Sequence, residues 1–145
     1  MKQLLNSTKY LLLVIIVSIT ISSCNSDKTK ETIATINYDY SGCFSSGKSK
    51  LVNYKSDTTI MASLESGHQL PVNAKLNIQQ MDTFNLFIQE IKNLHNEGFC
   101  TTVSHYSVNL KTESFNRTDN SCQWNGFEKL TECLFKNRYY PVSLQ

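Results

Sequence analysis

Residues 69–98 read QLPVNAKLNIQQMDTFNLFIQEIKNLHNEG, and partway along them the spacing of the apolar residues changes. Leu70, Val72, Ala74, Leu76 and Ile78 alternate with Gln69, Pro71, Asn73, Lys75 and Asn77. A period of two puts the first set on one side of a β-strand and the second set on the other. Pro71 has no N–H to give to a ladder, so this strand is expected to begin near the edge of its sheet. From Met81 the pattern becomes Met81, Phe84, Phe87, Ile88, Ile91, Leu94 and His95. That spacing marks one face of an amphipathic helix of about 18 residues. Asn77 and Gln80 have the chemistry of a capping box at its start, and Gly98 supplies a stop.

Working outward, the period of two returns on both sides. Ala34, Ile36, Tyr38 and Tyr40 alternate with Thr35, Asn37 and Asp39. Gly42 to Gly47 reads as loop, and residues 50–55 and 58–64 are strand-like around a Ser56-Asp57 turn. Beyond the helix, residues 101–110 and 114–118 form a further pair of strands, and Asp119-Asn120-Ser121 turns the chain. Asn125 and Glu128 then suggest a second N-cap, followed by an apolar stripe of Phe127, Leu130, Leu134 and Phe135. The order ββββαββα predicts an α+β fold: a mostly antiparallel sheet carrying two helices on one face.

The N-terminus obeys different rules. Lys2 and Lys9 precede an apolar run from Tyr10 to about Ile21, followed by Ser22-Ser23-Cys24. About 12 apolar residues are short of the roughly 20 that cross a bilayer. A basic start, a short apolar middle and small residues at the end make a secretory signal peptide. Ile21-Ser22-Ser23-Cys24 resembles the lipobox of bacterial lipoprotein precursors. That resemblance implies removal of residues 1–23 and diacylglycerol on the Cys24 thiol, giving a membrane partner through lipid. It also implies a bacterial cell envelope address, and Asn25 in place of Asp favours the outer membrane. Residues 24–32 then form the lipidated cysteine and a polar tether, and residues 33–145 one domain. Two acyl chains hold a protein on a membrane stably where one does not.

Cleavage changes the charge. The chain has 14 Lys and Arg against 12 Asp and Glu, and losing Lys2 and Lys9 leaves 12 against 12. A neutral domain has no basic excess with which to bind nucleic acid. Cleavage also makes the cysteine count even: of five, Cys24 goes to lipid and Cys43, Cys100, Cys122 and Cys133 remain. An exported small domain is expected to close these into two disulfides, with three connectivities open. Cys100–Cys122 is the first expectation, because it would staple the open end of the 101–118 hairpin, and Cys43–Cys133 is then left. A zinc site using His95 and His105 near Cys100 is the alternative, but no C-x₂-C spacing occurs and no metal is expected.

Residues 42–49, GCFSSGKS, match the phosphate-loop pattern letter for letter. That motif works only where a helix opens at its Gly-Lys-Ser, so that backbone N–H groups can surround a phosphate. Here KLVNYKSDTTI follows, which is rich in β-branched and alternating residues. Gly42 and Gly47 are expected to be turn residues, Lys48 a loop lysine, and nucleotide no partner. Neither a cysteine nucleophile with His68, His95 or His105 as base nor a pair among Asp57, Glu65 and Asp82 is assembled by spacing. Trp124, Tyr139 and Tyr140 are candidate recognition aromatics, although Trp124 beside Cys122 would equally cover a disulfide. The expectation is a non-enzymatic binding or accessory module without cofactor, its partner an envelope protein or glycan. Two alternatives stay open: an inhibitor of a hydrolase acting through the Cys43–Gly47 loop, and a small cysteine- or acid-dependent enzyme.

Overall fold

The structure, a computed structural model, describes residues 30–95 and 98–136. Strands β1 (Glu31–Ser41), β2 (Ser46–Ser56), β3 (Thr59–Ser66) and β4 (Val72–Lys75) precede helix α1 (Ile78–Lys92). Strands β5 (Val103–Leu110) and β6 (Ser114–Asp119) and helix α2 (Gly126–Phe135) follow. All six strands join one antiparallel sheet in the order β4-β3-β2-β1-β5-β6. The fold is α+β, and its element order is the one the apolar spacing predicts.

Register follows from burying one face. Ile36 of β1 lies opposite Leu51 of β2 and Val108 of β5, and Leu51 lies opposite Leu64 of β3. These four are at most 2% exposed. They form one cluster with Phe84, Phe87, Ile88 and Ile91 of α1 and Phe127, Leu130, Leu134 and Phe135 of α2. Both helices therefore cover the same face of the sheet. The β2–β3 turn is two residues long, and Asp57 takes a positive φ of 55°, the conformation that tight hairpins need and that Asp tolerates.

The capping box forms as expected. Asn77 Oδ1 accepts from the Gln80 N–H at 2.9 Å, and Gln80 Oε1 accepts from the Asn77 N–H at 3.0 Å. The Gln80 amide also donates to the Cys133 carbonyl at 3.0 Å. One side chain thus serves the orphan donors of α1 and the orphan acceptors of α2, which every helix end must satisfy.

Several expectations are corrected. The strand of residues 69–78 shrinks to the four residues of β4, an edge strand as Pro71 implied. Leu70 and Ile78 sit outside it, 88% and 82% exposed, while Ala74 and Leu76 are buried. Helix α1 stops at Lys92, so Leu94 and His95 lie beyond it. Gly98 serves another purpose: a Cβ there would meet the Asn120 carbonyl at 2.2 Å, so glycine permits two loops to touch. Asn125 occupies the cap position of α2 but makes no side-chain cap bond. Glu31 and Thr32 belong to β1 rather than to the tether.

One disulfide forms, not two. Cys100 and Cys122 are bridged with Cα atoms 5.6 Å apart, closing the β5–β6 hairpin, whereas Cys43 and Cys133 are free thiols. Cys133 borders the same hollow as Ala74 and Lys75, and through Ala62 this position is level with Asn53 of β2. Cys43 lies past the other end of β2. The stretch from Ser46 to Asn53 spans about 23 Å of strand, far more than the ~7 Å between Cα atoms that a disulfide tolerates.

Asn53 of β2 is a buried polar side chain beside the core, 1% exposed, with its Oδ1 unpartnered and its amide 3.8 Å from the Met81 sulfur. A buried carbonyl without a donor costs about 1–3 kcal/mol. Asn53→Leu is therefore expected to raise unfolding stability by about 1–2 kcal/mol in a urea titration; an unchanged or lower midpoint would mean that the amide is satisfied. Tyr106 and Tyr38 face each other across β1 and β5, and burial pushes both phenols above their ordinary value of 10.0. Because the folded state favours the neutral form, this stabilisation is complete below pH 10 and is lost as pH rises through the folded values. Alkaline unfolding should accordingly begin above about pH 10, and Tyr106→Phe should soften its slope.

Candidate functional site

With both helices on one side, the other face of the sheet is open. Its composition follows from the period of two, since every residue between the buried ones points there. One row crosses five strands: Asn116, Ser107, Asn37, Lys50 and Glu65. The next row holds Thr118, His105, Asp39 and Lys48. At about 4.8 Å between strands, the longer row is about 19 Å wide. The edge of this face holds a shallow hollow of about 550 Å³ lined by Asn37, Asp39, Lys48, Lys50, Glu65 and His68 among others.

The side-chain contacts of His105 and Lys48 on this face are polar and solvated. His105 Nδ1 lies 3.1 Å from the Thr118 hydroxyl. Lys48 Nζ lies 3.5 Å from an Asp39 oxygen, with the two side chains 85% and 46% exposed. At such exposure an ion pair contributes little to stability. Chemically, the arrangement can donate and accept hydrogen bonds over a broad, flat area.

The phosphate-loop letters acquire a different meaning here. Gly47, Lys48 and Ser49 belong to β2 and pair with Tyr40, Asp39 and Tyr38 of β1. Lys48 is a strand residue, not a loop residue. A Cβ on Gly47 would meet the Tyr40 ring at 2.5 Å, so any side chain there would have to displace that ring. No helix opens at the Gly-Lys-Ser, so its N–H groups are committed to a strand rather than gathered around an anion.

The remaining candidates are spread over the molecule. Cys24, Tyr139 and Tyr140 lie outside the described residues. Cys43 is exposed at the β1–β2 tip, and Cys133 is half-buried with its thiol 3.6 Å from the Thr83 hydroxyl. Trp124 is half-buried: its ring stacks on Phe87 at 5.6 Å, meets Tyr106 edge-on, and donates from Nε1 to Glu90 at 3.3 Å. His68, His95 and His105 fall in a loop, past a helix and on the open face. Among the described residues no three His, Cys, Asp or Glu side chains are grouped as metal ligands.

Sequence reasoning missed Asp119. It is 5% exposed and accepts from the Ser121 N–H at 2.8 Å and the Ser121 hydroxyl at 2.6 Å. This holds the turn from which Cys122 emerges with a positive φ of 57°. The Asp-Asn-Ser run signalled a turn, but nothing local signalled burial of the carboxylate. A second hollow, of about 760 Å³, lies between the start of α1 and the end of α2, against Gln80 and Cys133.

No family model, no curated protein and no solved structure matches this chain.

Thiol chemistry tests the single bridge. Cys24 set aside, the unreduced folded protein should alkylate at Cys43 first and at Cys133 far more slowly, with Cys100 and Cys122 blocked until reduction. Mass spectrometry reads each step, and a protein that takes no label before reduction would restore the second bridge. Reducing Cys100–Cys122 should lower stability by about 3 kcal/mol for its loop of 22 residues.

Proposed function

We propose that this chain is a lipid-anchored lipoprotein of a bacterial cell envelope that acts as a non-enzymatic binding or accessory module. Support for the anchor comes from the Ile21-Ser22-Ser23-Cys24 signature and from the short polar stretch between Cys24 and β1. The observation that carries the binding reading is the open sheet face. Over β1, β5 and β6 its rows carry neutral amides and hydroxyls, Asn37, Ser107, Asn109 and Asn116, while the long charged side chains Lys48, Lys50 and Glu65 stand on β2 and β3. Neutral groups lose less on leaving water than charges do, so such a face can be covered by an envelope protein or a glycan at modest cost.

The anchor and the face are tested separately. Cys24→Ala should move the protein from the membrane fraction to the soluble fraction, and continued tight attachment would refute the lipid. In mild detergent the natural lipoprotein should migrate in an assembly heavier than the chain alone. Asn37→Arg with Ser107→Arg should migrate as the free lipoprotein at an unchanged melting temperature. Retention of the assembly by this double variant would count against the open face.

A further inference from the structure

Helix α2 delivers the chain to a recess at its own C-terminal end. Phe135 is buried and pins that end to the core, and Lys136 caps the helix. Lys136 lies on the rim of two hollows at once. The larger, of about 760 Å³, runs between α2 and the start of α1, past Asn77, Gln79, Lys129 and Glu132. The smaller, of about 240 Å³, reaches the edge strand at Ala74 and Lys75. Gln80 and Cys133 border both. The Gln80 amide is engaged by the Cys133 and Leu134 carbonyls at 3.0 and 3.4 Å. The Cys133 thiol is half-buried and 3.6 Å from the Thr83 hydroxyl, so it stands in the seam between the helices.

The rim of this recess is amphipathic. Lys129 and Lys136 precede and follow Cys133 by four and three residues, the spacing of neighbours on one helix face. Their stems are apolar up to the ammonium. Ile78, between the two lining residues Asn77 and Gln79, is 82% exposed. Aliphatic stems beside amides suit an aromatic ring with a polar tip.

The residues that follow Lys136 in sequence have that composition. They read Asn137-Arg138-Tyr139-Tyr140-Pro141-Val142 and lie outside the described residues. Tyr139 and Tyr140 are three and four residues from Lys136, which is about 10 and 13 Å of extended chain. Pro141 disfavours helix at its own position and at Tyr140, which leaves the segment free to turn back along α2. Arg138 has a counter-charge on the rim in Glu132. A segment tethered this closely is presented at an effective concentration in the millimolar range. Contacts too weak to hold a free peptide are then sufficient.

We propose that Tyr139 and Tyr140 dock in the recess between the start of α1 and the end of α2 and cover Cys133. The occupant is this chain's own segment, with the tyrosine rings against the stems of Lys129 and Lys136, where their ammonium groups add a cation–π attraction. Thiol reactivity follows exposure, so docking holds Cys133 out of reach of reagents and release of the segment uncovers it. This device is independent of the lipid anchor and of the open sheet face.

The test uses the full chain, in mild detergent where it carries lipid. Tyr139→Ser with Tyr140→Ser should raise the rate at which iodoacetamide labels Cys133 by about tenfold, as when the undocked form is about a tenth of the natural population. The rate at Cys43, on a distant loop, should stay the same. Tenfold dilution of the natural chain should leave the Cys133 rate unchanged, because the contact is intramolecular. A photo-crosslinking phenylalanine analogue at position 139 should give an adduct within one chain to the peptide that holds Gln79 and Gln80. A Cys133 rate that the double variant does not change would overturn the docking. So would a Cys133 rate that rises on dilution, which would assign the recess to a second copy. Adducts confined to another molecule, or none to α1, would overturn it as well.

Discussion

A one-residue slip of β1 against either neighbour would turn Ile36 out of the core while Leu51 and Val108 stayed in. The rest of the structure depends on that constraint. The sheet has one face to bury, its side-chain period is two, and only one register puts every apolar residue on the same side. Once Ile36, Leu51, Leu64 and Val108 are aligned, the helices have a single place to go. Their own stripes, Phe84 to Ile91 and Phe127 to Phe135, complete the core.

The polar character of the open face follows from the same alignment. Asn37, Ser107 and Asn116 stand in one row because Ile36, Val108 and Phe115 stand in the row behind them. The helices are joined mostly through apolar packing, with Gln80 bridging the start of one to the end of the other. Asn53 runs against this order, a polar group on the buried face with only a thioether for company. The open face and the core are two readings of one alternation.

The two ends of the sheet differ in kind. Near the start of β1 the surface is laced with ion pairs that are solvated and individually weak. At the far end the loops hold together by other means: the Cys100–Cys122 bridge, the Asp119 carboxylate in its turn, and the close approach that Gly98 allows. These contacts join residues 98–102 to residues 119–122, beside the exposed Phe99.

Local spacing was enough to read the element order, the α+β class, the edge position of the strand after Pro71, the Asn77–Gln80 capping box and the Cys100–Cys122 pair. Each of these depends on residues close in sequence, or on a hairpin whose ends must meet. Tertiary structure alone decided where Cys43 and Cys133 fall, because their separation depends on how far β2 carries the chain between them. It decided that Lys48 extends a strand, since the pairing partner Asp39 lies on another strand. Burial of Asn53 and Asp119 was equally invisible beforehand. Periodicity reports which side of its own strand a residue takes; only the packed sheet determines which residues from distant parts of the chain stand beside it.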